Sequence, residues 1–194
     1  MALGLLRNTE LTDEQFARIS ELVKGLCGIN LHEGKKELVK ARLNKRLRTL
    51  GLRDFEQYLD RVRQDATGDE LTTMLDSLST NLTSFFREPQ HFDHLRRVVL
   101  PALTARAQGR RRHIRIWSAG CSSGEEPYSI AIFLREHVPD LDRWDAAILA
   151  TDLSTRVLAR AREGIYDAQR LADMPASWVG RHFDEAPGRG GSAF

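Results

Sequence analysis

The residues most able to do chemistry lie in three short stretches of the second half of the chain. Gly120-Cys121-Ser122-Ser123-Gly124 is a glycine-serine loop between a short strand and a helix. Glycine removes the Cβ clash and admits dihedrals that other residues avoid, so backbone there can approach a ligand closely. At the end of a parallel strand such a loop cups a nucleoside-bearing ligand, although glycines alone describe a tight strand-to-helix turn equally well.

Glu125-Glu126-Pro127-Tyr128-Ser129 follows and sets two carboxylates at a helix start. Each could complement the helix dipole by about 0.3–1 kcal/mol, but both would repel a pyrophosphate. S-adenosylmethionine, with its sulfonium and ammonium, suits them, which favours methyl transfer over dehydrogenase chemistry. Asp152 ends the next strand, where an acidic residue accepts hydrogen bonds from ribose hydroxyls. Its other available role is to cap the helix beginning near Ser154. In Asn81-Leu82-Thr83-Ser84-Phe85-Phe86-Arg87-Glu88, the paired aromatics pack in a core or over a ligand ring. Arg87, between Phe86 and a helix start, is placed to hold a guanidinium over a site rather than in a surface ion pair.

A fourth feature lies in the first half. Lys35, Lys36, Lys40, Arg42, Lys45, Arg46 and Arg48 oppose the single acidic residue Glu37 on one amphipathic segment. That concentration favours an acidic partner. Without interleaved aromatics for base stacking, a protein surface ranks above nucleic acid.

The elements that must carry these groups follow from periodicity and punctuation. Thr12-Asp13-Glu14-Gln15 has the capping-box form, and Phe16, Ile19, Leu22, Val23 and Leu26 follow at helical spacing, with Gly25 and Gly28 as stops. A second helix is predicted over about 34–50, a third after Asp54, and a fourth after Gly68 and Asp69, together a small bundle. Pro89 opens a helix running towards Leu100 and Pro101. Strands at 114–117 and 145–150 and helices at 126–136 and 154–162 then give strand, glycine loop, helix, strand, acidic residue. The fold class expected is α + α/β, a helical bundle followed by an incomplete Rossmann-like parallel sheet. The boundaries expected are a helical partner-docking domain at 1–79, a partial cofactor-binding domain at 80–185, and a disordered tail at 186–194.

Composition sets the class. In 194 residues, 41% are hydrophobic and 29% charged, as in a globular chain that can bury a core. Lys plus Arg number 29 and Asp plus Glu 27, a net charge of +2 that argues against non-specific nucleic-acid binding by the whole chain. Cys27 and Cys121 are too far apart to suggest a metal knuckle, so no metal is expected. The start, Met1 to Arg7, lacks a basic region before its apolar run and makes a poor signal peptide. With no window long and apolar enough for a membrane span, the expectation is a cytoplasmic protein without membrane insertion, and a monomer.

Taken together, the sequence resembles the chemotaxis receptor methyltransferases, the CheR family. The resemblance rests on the segment 81–88, on Trp117-Ser118-Ala119 with the loop and helix start through Ser129, and on Ala150-Thr151-Asp152. It implies transfer of a methyl group from S-adenosylmethionine to glutamate side chains on the cytoplasmic helices of chemoreceptors. Carried over by position, Asn81, Thr83, Arg87, Glu126 and Asp152 would line the cofactor pocket with Gly120 and Gly124 of the loop, and Arg87 would lie nearest the transfer site. The basic second helix would be the receptor-docking surface. Members continue through further strands and a small β subdomain that in some grips a receptor tail. None of that is legible here, so the chain resembles a truncated enzyme, inactive if the missing parts are essential. The alternative is a non-catalytic fragment that still docks on receptors, and a nucleotide-dependent dehydrogenase is a distant third.

Overall fold

The computed structural model describes residues 9–106, 112–186 and 191–193. The start at 1–7, the run through Arg110 and Arg111, and positions 187–190 and 194 of the expected tail lie outside these residues. Contacts divide the chain between Thr80 and Asn81 into two units.

The first unit is four helices. In α1 (Asp13–Cys27) the capping box forms as the sequence predicts: Gln15 N donates to Thr12 Oγ1 at 3.2 Å and Thr12 N to Gln15 Oε1 at 3.1 Å. Gly28, at φ +73°, ends it in the left-handed conformation that glycine adopts without a Cβ penalty, while Gly25 stays inside the helix. A single 3-10 turn at Glu33–Lys35 precedes α2 (Lys36–Leu50), which starts two residues later than the periodicity suggests. In α3 (Phe55–Gln64) the Asp54 side chain accepts from Gln57 N at 2.8 Å, and α4 (Asp69–Leu78) closes the bundle. Phe16, Ile19, Val23, Val39, Leu43, Leu47, Phe55, Tyr58, Leu59 and Met74 fill its core. Each such side chain contributes roughly 1.5–3 kcal/mol by leaving water. Asn44 is buried among them, its amide bonded to both N and O of Thr9 at 2.9 Å.

The second unit begins with the strap 81–88 and α5 (Pro89–His94). The helix expected from Pro89 onward is not continuous. Pro101 offers no N–H to the preceding turn, and Leu95–Val99 widens into a π turn in which Leu100 N bonds to Leu95 O, before α6 (Leu100–Arg106) resumes. Then come β1 (His113–Ala119), α7 (Glu125–His137), β2 (Asp145–Thr151) and α8 (Thr155–Glu163). β1 and β2 pair in parallel from His113↔Asp145 to Ala119↔Thr151. One face of this sheet packs on Ile130, Phe133 and Leu134 of α7. The other leaves the register neighbours Trp117 and Leu149 exposed by 68% and 61%.

The absence of further strands is corrected, and with it the expected disordered tail at positions 186 and 191–193. β3 (Ile165–Tyr166), β4 (Asp184–Ala186) and β5 (Gly191–Ala193) form an antiparallel sheet in the order β3-β5-β4, with α9 (Ala176–His182) between β3 and β4 in sequence. Strands of two or three residues are too short to show alternation, so only pairing with distant chain reveals them. Behind this sheet Phe85 packs edge-on against Tyr166 and Phe183 at 4.9 and 5.6 Å.

Candidate functional site

The glycine turn is built onto the carboxyl end of the parallel pair. Gly120 N and Cys121 N both donate to Thr151 O, at 2.8 and 2.9 Å, which ties the end of β1 to that of β2. Ser122 N then donates to Asp152 Oδ2 at 2.8 Å, and Ser154 N to Asp152 Oδ1 at 2.9 Å. Of the two roles weighed for Asp152, the bonds show the one at the start of α8 and extend it to the turn. It braces both the turn and the start of α8, and its half-buried carboxylate keeps lone-pair capacity for a further donor. Gly120 stands at φ +85° with open space where a Cβ would project, which is where backbone can meet a ligand.

The two glutamates part company. Glu126 is exposed and accepts from Ser118 Oγ at 2.6 Å. Glu125 is fully buried, accepts from Ser123 Oγ at 2.7 Å and is ion-paired to Arg170. The argument from two carboxylates facing a ligand is thus corrected to one. Glu125 points into the unit because its charge has a dedicated partner there, without which burial would be prohibitive. Gly124 is corrected likewise. At φ +102° it would place a Cβ 2.5 Å from Tyr166 Oη and 3.1 Å from Ala161, so it permits close packing of α7 rather than approach to a ligand. Tyr166 Oη donates to Ser123 O at 2.8 Å, completing a brace behind the turn.

Burial pushes the Cys121 thiol up, and the Asp152 and Glu126 carboxylates add to the shift, so this cysteine is a neutral packing residue rather than a nucleophile. A polar cavity of about 270 Å³ lies beside the brace, lined by Ser123, Glu125, Tyr166 and Arg170 among others, and an apolar one of about 400 Å³ lies under α6. Neither is lined by Gly120, Glu126 or Asp152. Of those three, Gly120 and Glu126 are exposed and Asp152 is half-buried.

The strap brings Asn81 to the turn, where Ser122 Oγ donates to Asn81 O at 3.2 Å. Thr83 is half-buried on the same strap. Arg87 is about half exposed, and its guanidinium donates to Leu82 O at 2.8 Å, closing the strap on itself instead of reaching the turn. The serines at 118, 122 and 129 and the pair Tyr166 and Arg170 carry much of the arrangement, and sequence reasoning gave them no role. Their partners are up to 45 residues away, so no local pattern marks them.

The basic segment of the first unit is also corrected. Lys40 pairs with Glu10 and Glu37, and Lys36 with Asp13. Arg46 makes a two-bond fork with the buried Glu70 at 2.8 and 2.6 Å, and Arg42 donates to Leu78 O and Ser79 O. Four of the seven cations are thus committed to the bundle, because neighbouring elements supply acids and carbonyls within their reach. Lys45 and Arg48 are exposed on the outer stripe of α2, which also carries Leu38 at 43% exposure; Lys35 is half-buried. Among the described residues there is no cluster of metal-ligating side chains, and no helix is long and apolar enough to cross a membrane.

Comparison with known proteins sets this geometry in context. Residues 81–192 match the family model of the CheR methyltransferase SAM-binding domain, and residues 14–79 that of the CheR methyltransferase all-alpha domain. The chemotaxis protein methyltransferase of Borreliella burgdorferi is 42% identical over 170 residues, covering 87% of this chain and 60% of the relative. That of Escherichia coli is 40% identical over 188 residues, covering 95% and 62%. Chemotaxis protein methyltransferase 2 of Pseudomonas aeruginosa is 42% identical over 172 residues, covering 89% and 59%. The chain spans about three fifths of the length of these curated relatives.

Proposed function

The chain belongs to the CheR methyltransferase family, and from that premise we propose that it takes part in chemotaxis as a methyltransferase whose acceptor is a glutamate side chain of a chemoreceptor. By family its second unit is an S-adenosylmethionine-binding domain. The observation that carries the reading is the pair of carboxylates bonded at and beside the glycine turn: Asp152, at the end of β2, accepts from Ser122 N of the turn, and Glu126, at the start of α7, accepts from Ser118 Oγ at the end of β1. A ligand with ribose hydroxyls and a cationic methionyl end fits that pair of acceptors, and one exposed carboxylate is enough for an ammonium.

When bound, the cofactor supplies a methyl group made electrophilic by a cationic sulfur. An acceptor glutamate, with an ordinary pKa of about 4.3, is ionised at neutral pH, so no general base is required of this chain. Charge is lost as the methyl moves, and water would stabilise the separated ions more than the transition state. The protein's contribution is therefore alignment and the exclusion of water, and orientation alone can supply roughly 7–11 kcal/mol. In this reading Asp152 holds the ribose, Glu126 the ammonium, and Arg87, nearest the transfer site, both anchors the cofactor and steers the acceptor carboxylate. The exposed stripe of α2 with Lys45 and Arg48 meets the acidic receptor helices.

Calorimetry with S-adenosylhomocysteine tests the first half, and transfer of radiolabelled methyl to receptor-bearing membranes the second. Binding in the micromolar range that is lost in Asp152→Ala is expected, with base-labile label on the receptor. Absence of S-adenosylhomocysteine binding would refute the cofactor site. Receptor binding without label would instead establish the docking reading.

A further inference from the structure

The strap carrying Arg87 is held in a conformation that its own sequence disfavours, and the residue holding it lies on α7. Phe86 stands at φ +51° and Glu88 at φ +57°, so Arg87 sits between two non-glycine residues in the left-handed region. That region disfavours an L-residue by roughly tenfold or more and persists only where surroundings over-determine it. Two features do so at Phe86. Its ring packs against Phe92 and Trp178, with centroids at 4.9 and 5.2 Å. Its N–H donates at 2.9 Å to Ser129 Oγ, a hydroxyl with no solvent exposure that itself donates to Glu125 O at 2.6 Å.

Ser129 is an unusual tenant of a helix interior. Its hydroxyl bonds back to the carbonyl four residues earlier, a pattern that offers a helix little, yet it leaves the oxygen's lone pairs aimed at the strap. The first turn of α7 is also the turn that carries Glu126. One hydroxyl therefore links the helix bearing the proposed ammonium ligand to the strained residue just before Arg87. Ser122 Oγ, on Asn81 O, fixes the strap's other end.

We infer that Ser129 is a positioning residue for Arg87, holding Phe86 in its left-handed conformation so that the guanidinium is presented from the strap in register with α7; this rests on the cofactor-binding reading above. Without the hydroxyl, Phe86 N–H loses its acceptor and the strap relaxes towards right-handed or extended backbone. Arg87 then samples many directions.

The test uses the full chain with Ser129→Ala, Ser129→Thr, Arg87→Ala and the double variant. Amide exchange needs no ligand. Ser129→Ala should speed exchange at Phe86 by at least about tenfold while β1 and α7 keep their protection, and Ser129→Thr should restore it. With S-adenosylhomocysteine as probe, Ser129→Ala should weaken binding by about tenfold, and adding it to Arg87→Ala should cost little more, because both act through one guanidinium. Should Ser129→Ala fail to fold, Ser129→Cys keeps an atom in place with a weaker acceptor, and a graded loss is expected. Unchanged Phe86 exchange in a folded variant would overturn the proposal. So would additive losses in the double variant, or a threonine variant as impaired as alanine. A wild-type chain that fails to bind S-adenosylhomocysteine would refute the cofactor reading, while the exchange measurement would still decide the role of Ser129.

Discussion

Replacing Gly124 and Gly120 separately by alanine should give opposite phenotypes, although both glycines lie in one five-residue turn. At Gly124 an added Cβ would stand 2.5 Å from Tyr166 Oη and 3.1 Å from Ala161 Cα and Cβ. The Ala161 contact is with backbone, which cannot swing aside. Overpacking of this kind costs about 1–3 kcal/mol, and φ +102° adds about 1–2 kcal/mol for any L-residue. Moving Tyr166 would also break its bond to Ser123 O, a loss of about 1–3 kcal/mol. The terms overlap, since shifting the tyrosine relieves the clash, so about 4 kcal/mol is expected in all. At Gly120 a Cβ meets nothing within 4 Å, and only the strain of φ +85° remains, about 1–2 kcal/mol.

All three tryptophans lie in the second unit, so fluorescence during urea denaturation reports that unit specifically. With a denaturant slope of about 2 kcal/mol per molar, Gly124→Ala should lower the midpoint by roughly 2 M and Gly120→Ala by less than about 1 M. Binding of S-adenosylhomocysteine should reverse the order: a methyl group on Gly120 intrudes on the open side of the turn and weakens binding in a protein that remains folded. Equal midpoints would refute the assignment of one glycine to packing and the other to the ligand. A Gly120→Ala variant that is less stable than Gly124→Ala would do the same.

Three further outcomes are expected. Arg46→Ala leaves Glu70 buried without its partner and should destabilise the helical unit by about 3 kcal/mol, read by helical circular dichroism on heating, whereas Arg46→Leu with Glu70→Leu should recover most of that loss. Lys45→Glu should leave the melting temperature unchanged and reduce co-sedimentation with receptor membranes, while Arg46→Glu should lose both; unaltered co-sedimentation of folded Lys45→Glu would remove the outer stripe of α2 from the docking surface. Glu136 clips α7 to α9 through Arg181 and His182, and these partners hold its carboxyl below the usual range. A lowered folded pKa contributes stability that is present above the unfolded value near 4.3 and is lost as pH falls through the folded one. Acid destabilisation below about pH 4, followed by Trp178 fluorescence, should therefore be shallower in Glu136→Gln.

What the sequence made legible was local. Thr12 with Gln15, Asp54 and Gly28 are recognisable because a cap is decided within four residues of chain. The bundle core was legible because each helix buries a single stripe. The two parallel strands were legible because strand, glycine turn, helix, strand is an order with a well-known architecture. The sheet of β3, β4 and β5 was not, because Gly191–Ala193 gains its structure only by lying between β3 and β4.

The same distinction separates the charged groups that the fold leaves exposed from those it commits to packing. Residue type and spacing identify which groups could meet a ligand, but a charge's partner decides whether it is available, and that partner is set by the fold. Glu125 and Glu126 are adjacent and chemically alike, yet Arg170, 45 residues on from Glu125, claims the first and leaves the second exposed. Lys40 and Lys45 share one helix, and Glu10 with Glu37 claims the former alone. Counting charges along a helix therefore overstates a docking surface by the number of acids that neighbouring elements bring within reach. On α2 the exposed cations Lys45 and Arg48 share their stripe with Leu38 rather than forming a continuous basic face. Recognition by such a surface must come as much from shape and apolar contact as from charge. Its salt dependence should accordingly be weaker than seven cations would produce.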